Sequence, residues 1–288
     1  MTQKRAGNPW VWTVALLFIT LMTVGCSDQN GAPDGGTIRV ALCQIFTLDG
    51  DRDGNFVRIE NALKEAKASG AELACFPETA ILGWVNPDGH ERAFPIPGPD
   101  SDRMQAMAAA YEIHLSIGLA EKEGDLLYDS VVLIDDRGNL VMKHRKMNIL
   151  SELMTPAYAP GTEVKTAETA FGRVGLLICA DTFKDDILLR MAELEPDLVI
   201  VPYGWAAREE QWPEHGEQLA DTVVRAARAV NAVLIGTDLV GQITHGPWTG
   251  LVYGGQSVVS DAEGNILARA ADRDREILVI DVLVRAGE

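Results

Sequence analysis

The chain predicts an α/β protein whose sheets are buried and whose helices lie outside. Three observations carry that prediction. Strand-like and helix-like runs alternate from Thr37 onward. Several strand runs are apolar almost throughout, as expected of strands covered on both faces. Hydrophobic residues make up 47% and charged residues 23% of the 288, a balance that supports a sizeable core.

The elements follow in order. "TIRVALCQI" is apolar and β-branched and reads as a strand. "NFVRIENALKEAKASG" places Phe56, Ile59, Leu63 and Ala66 at helical spacing and ends on Gly70, a C-cap signal. "AELACFP" is a short buried strand stopped by Pro77, and "SDRMQAMAAAYEI" is a helix opened by Ser101 or Asp100. "HLSIGLAEK" and "LLYDSVVLIDDRGNLVMKHRK" read as strands, with "DDRGN" as a turn. "RVGLLICAD" is a strand, "KDDILLRMAEL" a helix and "PDLVIVPYG" a strand. "HGEQLADTVVRAARAVN" is a helix that leads into the strand "AVLIGTDLVG". The end, "GGQSVVSDAEGNILARAADRDREILVIDV", reads as strands joined by turns. No repeat is visible and no linker interrupts residues 38–284, so residues 38–288 are taken as one domain.

The N-terminus differs from the rest. Lys4 and Arg5 precede an apolar run from Trp10 to Val24, then small residues lead to Cys26. This is the layout of a secretory signal peptide over residues 1–25, and the run is shorter than the roughly 20 residues of a spanning helix. "TVGC" resembles a bacterial lipobox, which implies that Cys26 carries lipid and that the protein is exported and held on a membrane of the cell envelope. Residues 26–37 are polar and Gly-rich behind it, a flexible tether. The formal net charge of −17, with no basic stripe, argues against nucleic acid as a partner.

Cys43 and Cys75 sit in apolar strand-like runs and read as buried thiols, although an exported protein could pair them and the sequence leaves that open. No Cys or His grouping has metal-ligand spacing, so a metal site is not expected. Three reactive side chains fall where strands end, the place where α/β proteins collect function. Glu78 follows "ELACFP", Lys146 follows "NLVMKHR" and Cys179 ends "RVGLLI". A thiolate is a soft nucleophile, a carboxylate can take and return its proton, and an ammonium can hold an oxyanion.

The stretches "LACFPETAILGW", "MKHRKMN" and "GLLICAD", in that order, resemble the three motifs of the carbon–nitrogen hydrolase (nitrilase) superfamily. "RVALCQI" and "YGGQSVVSDAEGNIL" add to the likeness, which spans residues 38–284. The resemblance implies a four-layer α-β-β-α sandwich, often paired into homodimers, and hydrolysis of a non-peptide C–N bond through a thioester. It implies Glu78 as general base and acid, Lys146 as stabiliser of the tetrahedral intermediate, Cys179 as nucleophile and the Ala180 N–H as an oxyanion-hole donor. Many members carry a second glutamate between the Lys and Cys motifs. Glu152 is the candidate here, although its spacing departs from the pattern, and Ala180 stands where many members carry Tyr or Trp. Trp84 and Trp205, each shortly after a strand, are candidates for the walls of an acyl pocket. The expected activity is that of an amidase acting on a small amide or N-carbamoyl compound without cofactor. The alternatives are transfer of the acyl group to an amine and a surface-anchored binding protein with an idle triad.

Overall fold

The computed structural model of the chain describes residues 36–284. The signal peptide, Cys26 and almost all of the tether lie outside the described residues. Thr37, assigned to the tether's end, is already the first residue of a strand.

Five strands of the first sheet run in chain order: β1 (Thr37–Gln44), β2 (Leu73–Cys75), β3 (His114–Glu123), β4 (Leu126–Ile134) and β5 (Leu140–Arg145). The last strand of the chain, β15 (Glu276–Leu283), pairs with the free edge of β1. β1, β2 and β3 are parallel, as their connections through helices α1 (Arg52–Ala68) and α3 (Pro99–Tyr111) require. β3, β4 and β5 are antiparallel and joined by tight turns. In the second turn the Asp135 carboxylate accepts the N–H groups of Arg137 and Asn139 at 3.0 and 2.7 Å, as "DDRGN" predicts.

The second sheet holds β6 (Thr166–Thr169), β7 (Gly172–Leu176), β8 (Leu198–Pro202), β10 (Val233–Thr237), β13 (Val258–Ser260) and β14 (Ile266–Arg269), in the order β14-β13-β10-β8-β7-β6. Its parallel centre, β7-β8-β10, is built by crossovers through α4 (Asp185–Ala192) and α5 (Glu214–Val230). A one-turn helix, α2 (Gly89–Arg92), and a small sheet of β9 (Ala206–Ala207), β11 (Val240–Gln242) and β12 (Val252–Gly254) decorate the strand ends. The single strand read in "AVLIGTDLVG" is divided between β10 and β11, because the Asp238 carboxylate in the break accepts backbone N–H groups of Trp205 and Gly255.

Period-2 alternation sorts the layers. On β1, Val40 and Leu42 face the second sheet, whose Leu176, Ile200 and Ile235 are register partners on one face, while Val199 and Leu234 share the opposite face with Gly175, beside α4. Ala41 and Cys43 face the other way, toward Phe56, Ile59 and Leu63 of α1 and Met104 of α3. Leu188, Leu219 and Val223 of α4 and α5 cover the far side of the second sheet. The result is the expected four-layer α-β-β-α sandwich. Leu42 is the register partner of Cys75, so Cys43 points to the opposite face. Both cysteines are buried and free, which closes the disulfide question. Helix α1 begins at Arg52, three residues before the sequence reading, because Asp51 caps it by accepting the Gly54 N–H at 3.2 Å.

Candidate active site

The loop after β2 carries Glu78 and crosses the end of the second sheet, where the Glu78 N–H donates to the Tyr203 carbonyl at 3.3 Å. Gly118 on β3 permits this path. A Cβ there would lie 2.6 Å from the Glu78 Cα and 2.7 Å from the Pro77 carbonyl oxygen, which no side chain tolerates. The indole N–H of Trp84 donates to Glu78 Oε1 at 3.2 Å and aims the carboxylate. Gly204 lets that indole in, since a Cβ on it would meet the Trp84 ring at 2.5 Å.

Lys146 follows β5 directly. Its backbone N–H donates to the Asp129 carbonyl at 2.8 Å and its carbonyl accepts the Gly161 N–H at 2.7 Å. The side-chain ammonium donates to Glu78 Oε1 at 2.5 Å and to Asp129 Oδ2 at 3.2 Å. Cys179 opens a 3₁₀ turn, Cys179–Phe183, just beyond β7, with φ at +38°. That left-handed conformation costs a non-glycine residue about 1–3 kcal/mol and persists only where its surroundings enforce it. They do so here. Asp181 accepts the Ile178 N–H at 3.0 Å, and the Thr182 hydroxyl donates to the Cys179 carbonyl at 2.6 Å. Thr79 and Val85, with φ at +44° and +46°, place further β-branched strain in the Glu78 segment.

Asp181 also joins the cysteine turn to the lysine loop. Its Oδ1 accepts the N–H groups of Met147 and Asn148 at 2.9 and 2.8 Å, and its Oδ2 accepts from His144 Nε2 at 2.9 Å. Burial pushes the Asp181 carboxyl up, but His144 and these backbone donors outweigh it and hold it below the usual range. Asn148 adds a hydrogen bond to the Ala180 carbonyl at 2.6 Å.

The electrostatics of the three reactive groups differ in sign. Burial and the Glu78 charge push the Cys179 thiol well above its ordinary value, against the pull of Lys146 and the Gly204 N–H, so the resting group is a thiol. Burial opposes the Lys146 charge, yet the Glu78 and Asp129 carboxylates outweigh it and hold the ammonium well above its ordinary value. Such a site can move a proton from thiol to carboxylate beside a permanent cation, which is what an acyl-transfer nucleophile needs.

Glu78 and Lys146 are in hydrogen-bond contact and their charges act on the Cys179 thiol, and all three residues are within 5% of full burial. Ala180 lies at the turn beside the thiol and is buried. Trp84 reaches the site through its bond to Glu78. Trp205 is half-buried, edge-on to Tyr203 and Phe183 and stacked on His215, with its indole N–H on the His215 carbonyl at 3.0 Å. Glu152 requires a correction. It is exposed on the 3₁₀ turn Ser151–Leu153, where Leu153 packs inward and Trp248 Nε1 donates to the Leu153 carbonyl at 2.7 Å, so the neighbouring Glu152 faces out. The carboxylate beside the ammonium is Asp129 of β4. Its signal was a charged residue inside the apolar run "LLYDSVVLI", a position that rarely holds an unpaired acid. Tyr158 was also missed. It is buried, and the charges of Asp129, Glu78 and Lys146 all act on its phenol. Among the described residues, no group of three His, Cys, Asp or Glu side chains is arranged to hold a metal ion.

The carbon–nitrogen hydrolase family profile matches residues 39–286, and the chain belongs to that family. It is 31% identical over 178 residues to a bifunctional nitrilase/nitrile hydratase of Nicotiana tabacum, covering 54% of this chain and 50% of that protein. A nitrilase of Arabidopsis thaliana is 30% identical over 170 residues, covering 52% and 49%. The chain thus spans about half the length of the curated relatives it matches. The crystal structure of an amidase from Nesterenkonia sp. superposes with a TM-score of 0.75 at 24% identity, covering 88% of this chain and 93% of that one.

Proposed function

We propose that the protein is an amidase that cleaves a small amide or N-carbamoyl compound through a Cys179 thioester. The observation that carries this reading is the convergence of a strained, buried thiol, a carboxylate and a lysine that is held charged, on three loops from two sheets. Glu78 takes the thiol proton as Cys179 attacks the carbonyl carbon. The oxyanion develops against Lys146 and the Ala180 N–H, an interaction typically worth roughly 2.7–4 kcal/mol per donor. Glu78 returns the proton to the leaving ammonia or amine, and water activated by Glu78 then releases the acid. Trp84 and Trp205, whose indole N–H groups are already bonded, offer apolar ring surface to an acyl chain. The Nesterenkonia amidase supports the choice of amide, having been captured with butyramide and with the acetamide moiety of fluoroacetamide on its active-site cysteine.

The test is ammonia release from a panel of aliphatic amides, N-carbamoyl amines and the matching nitriles. Turnover of amides or carbamoyl compounds is expected. Turnover of nitriles alone would overturn the substrate class, and inertness toward all of them would overturn the enzyme.

We further propose that Cys26 anchors the protein by lipid to the bacterial cell envelope, on the support of the apolar run ending in "TVGC". Cys26→Ser should move the protein from the membrane to the soluble fraction or leave the signal uncleaved. A fully soluble wild type with an unmodified Cys26 would refute the anchor.

A further inference from the structure

Two carboxylates, Glu78 and Asp129, grip one ammonium in a site that water hardly reaches. The side chains of both acids are 0% exposed and that of Lys146 is 6% exposed. If both acids were ionised, the cluster would hold a net charge of −1, with no further cation in contact among the described residues. Each also has a stranded oxygen. Glu78 Oε1 accepts from Lys146 and Trp84, and Asp129 Oδ2 accepts from Lys146, but Glu78 Oε2 and Asp129 Oδ1 are buried without a partner. An unpaired buried acceptor costs about 1–3 kcal/mol, and more when charged. A single proton shared between the two neighbouring acids would remove the excess charge and supply a donor where both side chains now only accept.

We propose that Asp129 is a positioning residue that works as a neutral carboxylic acid, donating its proton to Glu78 and so leaving Glu78 as the ionised base of the pair. The inference rests on the proposed role of Glu78. The charge count then closes: Glu78 anion, neutral Asp129, Lys146 cation and Cys179 thiol sum to zero. The sum stays zero when the thiol proton passes to Glu78, so the proton transfer creates no net charge in the dry site. The other groups that bear on Asp129 point the same way. Lys146 from the end of β5 is permanently charged, Tyr158 from the following loop is a neutral phenol held well above its ordinary value chiefly by burial, and Cys179 on the opposite sheet is a thiol at rest. Burial and the Glu78 charge push the Asp129 carboxyl well above the usual range, with Lys146 opposing.

Asparagine mimics the neutral acid, because its amide donates where the O–H would, whereas alanine donates nothing. Asp129→Asn should therefore keep kcat/KM within about tenfold of wild type near neutral pH, while Asp129→Ala should lose about 10²-fold. The wild type should lose activity at alkaline pH as Asp129 gives up its proton, and the asparagine variant should lack that limb. A second readout needs no turnover. A carboxyl whose folded pKa lies above its unfolded value of about 3.9 makes folding less favourable as pH rises from there through the folded pKa, since the folded state binds the extra proton. The Tm of Asp129→Asn should thus gain on that of the wild type as the pH is raised from about 4 to 8. A flat or shrinking Tm difference would overturn the inference. So would a folded Asp129→Asn protein as inactive as Asp129→Ala. If no amide turns over in any variant, the proposed function fails by itself and the Tm series still decides the protonation of Asp129.

Discussion

Successive residues of β4 serve two buried acidic clusters of opposite character. Ser130 points to one face, where it donates to Glu121 at 2.6 Å, and the same carboxylate accepts from Lys143 at 2.5 Å and from Arg145 at 2.6 and 2.9 Å. Asp129 points to the other face, toward Lys146 and Glu78. The first cluster has one buried acid and two cations, one of which also pairs with the exposed Glu123, and both oxygens of the buried acid are satisfied. Burial pushes Glu121 up, yet its hydrogen bonds from Arg145, Lys143 and Ser130 hold it below the usual range. The second has two acids, one cation and two stranded oxygens. Saturation makes a structural carboxylate, whereas a deficit of partners leaves a proton free to move.

Mutations should separate the two clusters, and the largest effect is expected in the active site. Lys146→Ala would leave Glu78 and Asp129 without their cation. A loss of about 3–5 kcal/mol is expected, because removing one partner of a buried pair strands the others. Denaturant unfolding would measure it, and turnover should vanish with it. Glu121→Gln removes the acid from the saturated cluster. Its cations are partly exposed and can turn to water, so a smaller loss of about 1.5–3 kcal/mol is expected, with kcat/KM nearly unchanged. A large loss of activity at unchanged stability would erase the distinction between the clusters. Glu152→Gln should do least, staying within about 0.5 kcal/mol of wild-type stability as an exposed substitution does, with normal turnover. A steep fall in turnover would return Glu152 to the site.

The layers and the three reactive residues were legible because they rest on local signals. Alternation on β1, apolar runs in β7, β8 and β10, and reactive residues at strand ends are all visible within a few positions. What the sequence concealed depends on long-range approach. Asp129 meets Lys146 across 17 positions and Glu78 meets it across 68, so nothing near Asp129 in the chain announces its neighbours. The Glu152 expectation failed for the same reason: a place between the Lys and Cys motifs in sequence does not fix a place beside Lys146 in space, and with Leu153 turned inward Glu152 faces out. The glycine requirement at 118 and 204 was likewise invisible, since it comes from the Glu78 loop and the Trp84 ring packing onto those positions. Asp181 stands two residues after the cysteine with nothing in the sequence to single it out, yet it fastens the lysine loop to the cysteine turn.

The central claim is that Cys179 becomes acylated by an amide. Intact-mass analysis of the wild-type protein, quenched in acid during turnover of an aliphatic amide, tests it most directly. A mass increase equal to the acyl group is expected on the peptide containing Cys179, absent from Cys179→Ala and retained by Cys43→Ala and Cys75→Ala. An adduct that persists in Cys179→Ala, or steady turnover by that variant, would contradict it.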